Sequence, residues 1–151
     1  MTNFAFIPTE LFDEQNANFY LPVSGFRRKR ANVVIRKFDY FGIVGVFNNS
    51  ENVDNPTHTL FDLLEKAKSF TGEIIIAEIK DNLLYMIAID GKKLLLANVF
   101  EINKNEDIAY WVLSAVEKTN LDIDKVLVKI SSGNKSIIPF LNKYIKAEEQ
   151  T

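Results

Sequence analysis

The sequence predicts a mixed α/β fold: a three-stranded antiparallel meander followed by a helix, a parallel strand and a second helix, with a small strand-helix-strand-strand unit in front. Three observations predict it. Residues 73–101 hold the densest apolar content of the chain and break at two turn sites, Lys80-Asp81-Asn82 and Asp90-Gly91. The runs Ile74-Ile75-Ile76-Ala77, 83–89 and Leu94-Leu95-Leu96-Ala97 are nearly continuous rather than alternating, which predicts a sheet covered on both faces, with helices as the cover. Stretches on either side of the meander place apolar residues at helical spacing.

In chain order, Phe4-Ala5-Phe6-Ile7 reads as a strand stopped by Pro8. Thr9 is a candidate cap for a turn through Phe12, and Asp13 for a helical piece through Tyr20 that Pro22 ends. Ser24-Gly25 is a loop leading to the basic run Arg27, Arg28, Lys29 and Arg30. Val33-Val34-Ile35 and residues 43–47 read as two strands around Phe38-Asp39-Tyr40. The polar, turn-rich stretch 48–56 sets a boundary between a small subdomain, 1–55, and a lobe, 56–151. From Thr57 a helix carries Leu60, Phe61, Leu63, Leu64 and Ala67 on one side, and Thr71-Gly72 ends it. Asp90-Gly91 between apolar runs predicts a type I′ hairpin turn, which needs positive φ at both central residues. Asn103 with Glu106 has the spacing of a capping box, ahead of a helix striped by Ile108, Ala109, Val112, Ala115 and Val116 that ends near Thr119-Asn120. Residues 126–130 form a fourth strand. Residues 131–134 turn into a last helix with Ile137, Ile138, Phe140, Leu141, Tyr144 and Ile145 inward and Pro139 in its first turn. The tail 147–151 reads as polar and frayed. Meander, helix, strand, helix is the order in which a ribonuclease H-like lobe opens, its fourth strand parallel to the first.

Composition narrows the function classes. A chain of 151 residues suits one domain, or a domain with a small appendage, and its 47% apolar and 25% charged residues are ordinary globular values. With no Cys there is no disulfide, no thiolate metal site and no cysteine nucleophile. A net charge of −2 gives no global attraction to nucleic acid or anionic lipid. The first twenty residues lack a basic n-region and no apolar run reaches membrane-span length, so the expected location is cytoplasmic.

Residues with chemical potential are few. A ribonuclease H-type nuclease needs carboxylates converging on paired metals from strand one, the first helix and strand four. Glu78 with Glu106 or Asp107 begins such a set, but residues 126–130 hold no acid, so no metal site is expected. His58, the sole histidine, reads as a solvent-facing residue at a helix start. The basic run 27–30, with Phe26, Phe38 and Tyr40 nearby, has the chemistry of a phosphate-tracking patch with stacking aromatics, although four charges in one loop are more often a solvated turn or a salt-bridging edge. Trp111, beside Val112, reads as core.

The phrases FAFIPTELFDEQNANFYL (4–21) and KLLLANVFEINKNEDIAYWVLSAVEKTNLD (93–122), with the Ser132-Gly133 strand end, resemble the family called domain of unknown function 3822, a degenerate relative of the actin-like ATPase superfamily. The resemblance runs from about Phe4 to Ile145, and the order of elements is similar to the pilus-assembly and cell-division branch of that superfamily. It implies a fold of two ribonuclease H-like lobes with nucleotide between them, here without the opening meander of the first lobe. Active members place an Asp, and a Gly two residues later, at the end of a lobe's first strand. Glu78 and Lys80 stand at those positions here. Where active members have a glycine pair on the adenosine side, this chain has Ser131-Ser132-Gly133. Glu78, Lys80, Ser132 and Gly133 are therefore expected to be vestigial phosphate- and adenosine-site positions, with no cofactor and no hydrolysis. The expected function is a non-catalytic cytoplasmic scaffold or adaptor acting through protein contacts. The alternatives are a nucleic-acid-associated module using Arg27, Arg28, Lys29 and Arg30, and a residual nucleotide-binding protein. Missing cover from a first lobe would leave strands open, which predicts a homodimer through the edge at 94–100 or the hairpin at 33–47.

Overall fold

The structure, a computed structural model, describes residues 4–21, 32–49 and 54–150. The chain divides into two compact units, Met1–Phe61 and Asp62–Thr151. The sequence boundary at 48–56 precedes this division, which falls inside a helix, α1 (Thr59–Ala67).

In the first unit, β1 (Phe4–Pro8), β2 (Val33–Phe38) and β3 (Ile43–Asn48) form a sheet in the order β1-β3-β2, with both pairings antiparallel. The segment between β1 and β2 contains short 3-10 turns at Thr9–Leu11 and Glu14–Tyr20. Asp13 caps the second by accepting the Gln15 N–H, as its position predicts. Thr9 opens the first without capping it through its side chain. Phe61 lies at the centre of an aromatic nest, with Phe6, Phe47 and Phe38 centroids 5.0, 5.0 and 5.6 Å away. Gly45 makes room for it: a Cβ there would fall 2.7 Å from the Phe61 ring.

The second unit holds β4 (Glu73–Lys80), β5 (Leu83–Asp90), β6 (Lys93–Glu101), α2 (Asn105–Thr119), β7 (Leu127–Ser131), α3 (Ile137–Leu141) and β8 (Ala147–Glu149). Its five-stranded sheet runs β6-β5-β4-β7-β8, with β4-β5-β6 an antiparallel meander and β7 parallel to β4. This is the ribonuclease H-like order. Ile75, Ala77, Leu84, Met86 and Ala88 from one face of the sheet share a core with Ile108, Val112, Ala115 and Val116 of α2 and Ile137 and Leu141 of α3. Ile74, Ile76, Ile87 and Ile89, on the other face, are buried too, which accounts for the unbroken apolar runs. β6 departs from that pattern: it is an edge strand with a neighbour on one side only, and none of its residues is fully buried.

Three local expectations are corrected. Lys80 pairs with Leu83, so the first hairpin loop is Asp81-Asn82, both at positive φ (49° and 63°), and the type I′ turn sits there. Asp90 pairs with Lys93, which makes the second loop Gly91-Lys92 with positive φ at Gly91 alone, the mark of a glycine-first type II′ turn. The tail is not frayed. β8 pairs in parallel with β7, Ala147 is buried, the Gln150 N–H donates to the Ile130 carbonyl (2.9 Å), and Lys129 bridges Glu148 (2.9 Å). The last helix is accordingly short, and the chain after Leu141 turns toward β8.

Candidate functional site

The fold brings the carboxyl end of β4, the β7–α3 loop and the start of α2 to one end of the five-stranded sheet. A cleft of about 140 Å³ opens there, lined by Ile79, Asn82, Ile102, Asn103, Lys104, Asn105, Ile108, Ser132, Asn134 and Ile137. In an open sheet this is where ligands sit, since strand ends and helix N-termini present main-chain N–H groups to an anion.

The four positions singled out from sequence divide between the two faces of the sheet. Ile79 belongs to the core under α2 and lines the cleft, so its neighbours Glu78 and Lys80 alternate onto the opposite face. Glu78 lies in register with Ser131 of β7. Ser132 lines the cleft, whereas Gly133 is exposed beyond it. Glu78 and Lys80 form an ion pair of 2.9 Å, and this hydrogen bond is the main reason the Lys80 ammonium holds its proton above the usual lysine value.

The donors around the cleft serve the protein itself. The Asn103 and Lys104 N–H groups, at the N-terminus of α2, both donate to the Asp107 carboxylate (2.8 and 3.2 Å). The position that caps the helix is thus Lys104 rather than Asn103, and the acid three residues on that reaches back is Asp107 rather than Glu106. A lysine side chain has no acceptor, so only the returning half of a capping box can form. Ser132 Oγ accepts the Asn134 N–H (3.0 Å), and Asn134 Oδ1 in turn accepts from the Ser136 N–H (3.0 Å) and hydroxyl (2.7 Å). These contacts were not legible in the sequence; the only signal was an acid three residues after the last non-helical position.

The remaining candidates fall elsewhere. Glu78, Glu106 and Asp107 do not converge, and among the described residues no three His, Asp or Glu side chains gather into a metal-sized group. His58 is at a helix start, as expected, but buried rather than solvent-facing. Its Nδ1 accepts the Leu60 N–H (3.1 Å), and its ring packs on Phe4, Phe47 and Phe61 at 5.2, 5.6 and 5.4 Å. Trp111 is half-buried, stacked on Phe100 at 4.3 Å. Arg27, Arg28, Lys29 and Arg30 lie outside the described residues. Among the described residues no helix is long and apolar enough to cross a membrane.

Comparison with known proteins agrees with this architecture. A family described as protein of unknown function, DUF3822, matches residues 1–147. A crystal structure at 1.85 Å resolution from Bacteroides thetaiotaomicron VPI-5482, of a protein with an actin-like ATPase fold and unknown function, superposes with a TM-score of 0.68 at 20% identity. The match covers 97% of this chain and 64% of that one, so this chain spans less than two thirds of its length. No curated protein matches.

Proposed function

The chain belongs to the DUF3822 family and has an actin-like fold, and from that premise we propose that it is a non-catalytic protein-contact module, a scaffold or adaptor, working in the cytoplasm. One observation carries the reading: polar groups at the cleft are already engaged within the protein, and the Lys80 cation lies on the sheet's other face, paired with Glu78. The Asn103 and Lys104 N–H groups just ahead of α2 are held by Asp107, and Ser132 Oγ accepts the Asn134 N–H. A phosphate reaching the Asn103 and Lys104 N–H groups would have to displace the Asp107 carboxylate, with no gain in net hydrogen bonding. Position 80 carries a side chain where the resemblance implies a Gly, whose absent Cβ would let main-chain N–H groups approach phosphates closely. The cysteine-free composition is compatible with a reducing compartment.

The test is calorimetric titration of the full chain with Mg-ATP, alongside melting curves with and without it. The expected result is no heat of binding and no shift in Tm. Micromolar binding, or a Tm that rises with Mg-ATP and not with Mg alone, would overturn the reading.

A further inference from the structure

Four strands edge the two sheets among the described residues: β1 and β2 in one, β6 and β8 in the other. They differ in what an identical strand would meet when laid against them. β8 carries Glu148 and Glu149, and a second copy would set carboxylate near carboxylate. β2 carries Arg36 and Lys37 and no acid. β1 ends in Pro8, which has no N–H to give. β6 alone is basic at its first residue, Lys93, and acidic at its last, Glu101, with Ala97 at its midpoint.

We propose that β6 is a self-pairing surface that joins two copies of this chain as antiparallel strands about a twofold axis at Ala97. Leu95 of each copy then meets Val99 of the other, the two Ala97 methyls face each other, and just beyond the regular pairing the Lys93 ammonium comes near the partner copy's Glu101 carboxylate. No like charges are opposed. Main-chain geometry agrees. The Val99 N–H points away from β5 and is accepted by the Asn98 side chain (2.8 Å), a local contact that pairing would exchange for the second copy's Leu95 carbonyl; by alternation Ala97 and Glu101 also turn their main-chain groups outward. Ala97 against Ala97 is then a hydrogen-bonded pair, and Leu95, which is 38% exposed, gains cover from Val99. The irregularity opposite Ala88 and Ile89 bends β6 near Leu95 and confines regular pairing to about five residues, so the association is reversible and concentration-dependent.

This inference deepens the contact-module reading by naming a surface and its partner, and it fails separately from it. Mg-ATP binding would overturn that reading and leave the strand pairing intact. A monomer would overturn the pairing and leave the reading to other partners. Light scattering of the full chain is expected to rise from 17.3 kDa toward twice that mass with concentration. Lys93→Glu is expected to weaken association by about tenfold, since two symmetric ion pairs become repulsive, and adding Glu101→Lys is expected to restore it. Ala97→Cys, the only thiol in the chain, is expected to give an oxidised dimer, because facing Cα atoms in a hydrogen-bonded pair are about 5.5 Å apart. A constant monomer mass, or a dimer that ignores both the charge reversal and the cysteine, would overturn the proposal.

Discussion

At position 45 the absence of a side chain is a packing requirement. The Phe61 ring occupies the volume where a Cβ would stand, half-buried Phe6 closes it from another side at 3.1 Å, and Phe61, fully buried against Phe38 and Phe47, has no easy retreat. Gly45→Ala is therefore expected to destabilise the protein by about 1–3 kcal/mol, the usual cost of overpacking, read as a lower denaturation midpoint at unchanged m-value. An unchanged midpoint would mean that Phe61 moves freely. Nothing in the local sequence marks this site, because glycine between two valines in a strand reads as a simple weakening of the strand. His58 is a similar case. The adjacent threonines identify a helix start, but the Phe4 and Phe47 rings that bury it come from β1 and β3, and a single histidine in sequence gives no sign of such partners.

Among the elements, β8 shows what patterning misses. Strong periodicity made β4, β5 and α2 legible nearly to their ends, since their apolar residues are numerous and regularly spaced. Three residues reading Ala-Glu-Glu have no period to detect, and the strand exists because β7 offers an open edge. Its approach is fixed by Asn142, whose side-chain oxygen accepts the Ala147 N–H (2.9 Å) and whose amide donates to the Ala147 carbonyl (3.1 Å). The Lys129 hydrogen bond to Glu148, which lowers the pKa of that carboxyl, adds an exposed contact farther along. Asn142→Ala removes two hydrogen bonds and is expected to cost about 1–3 kcal/mol. Amide exchange is expected to accelerate at 147–150 more than in α2. Uniform acceleration across the unit would show that β8 has no local stability of its own.

For the whole molecule, the sheet order and helix placement were readable because each rests on turns and apolar stripes within a few tens of residues. The state of the strand-end site was not, because it depends on which carboxylate reaches which N–H. On the proposed reading, that distinction bears on whether nucleotide binding would be blocked at two positions or across the fold. Glu78→Asp together with Lys80→Gly introduces the residue types that the resemblance implies for an active site and frees the main chain at position 80. It leaves Asp107 on the α2 N-terminus, leaves Ser132 tied to Asn134, and leaves one glycine where two are wanted. It also leaves the new carboxylate on the sheet face away from the cleft, since a substitution does not change strand register. The double variant is therefore expected to fold and still bind no Mg-ATP by calorimetry. Because Lys80 is more than half exposed, loss of its pair with Glu78 is expected to shift stability by less than about 1 kcal/mol. Gain of micromolar Mg-ATP affinity in that variant would show that the remaining contacts yield to a phosphate, and that the fold kept its nucleotide site while losing only two side chains.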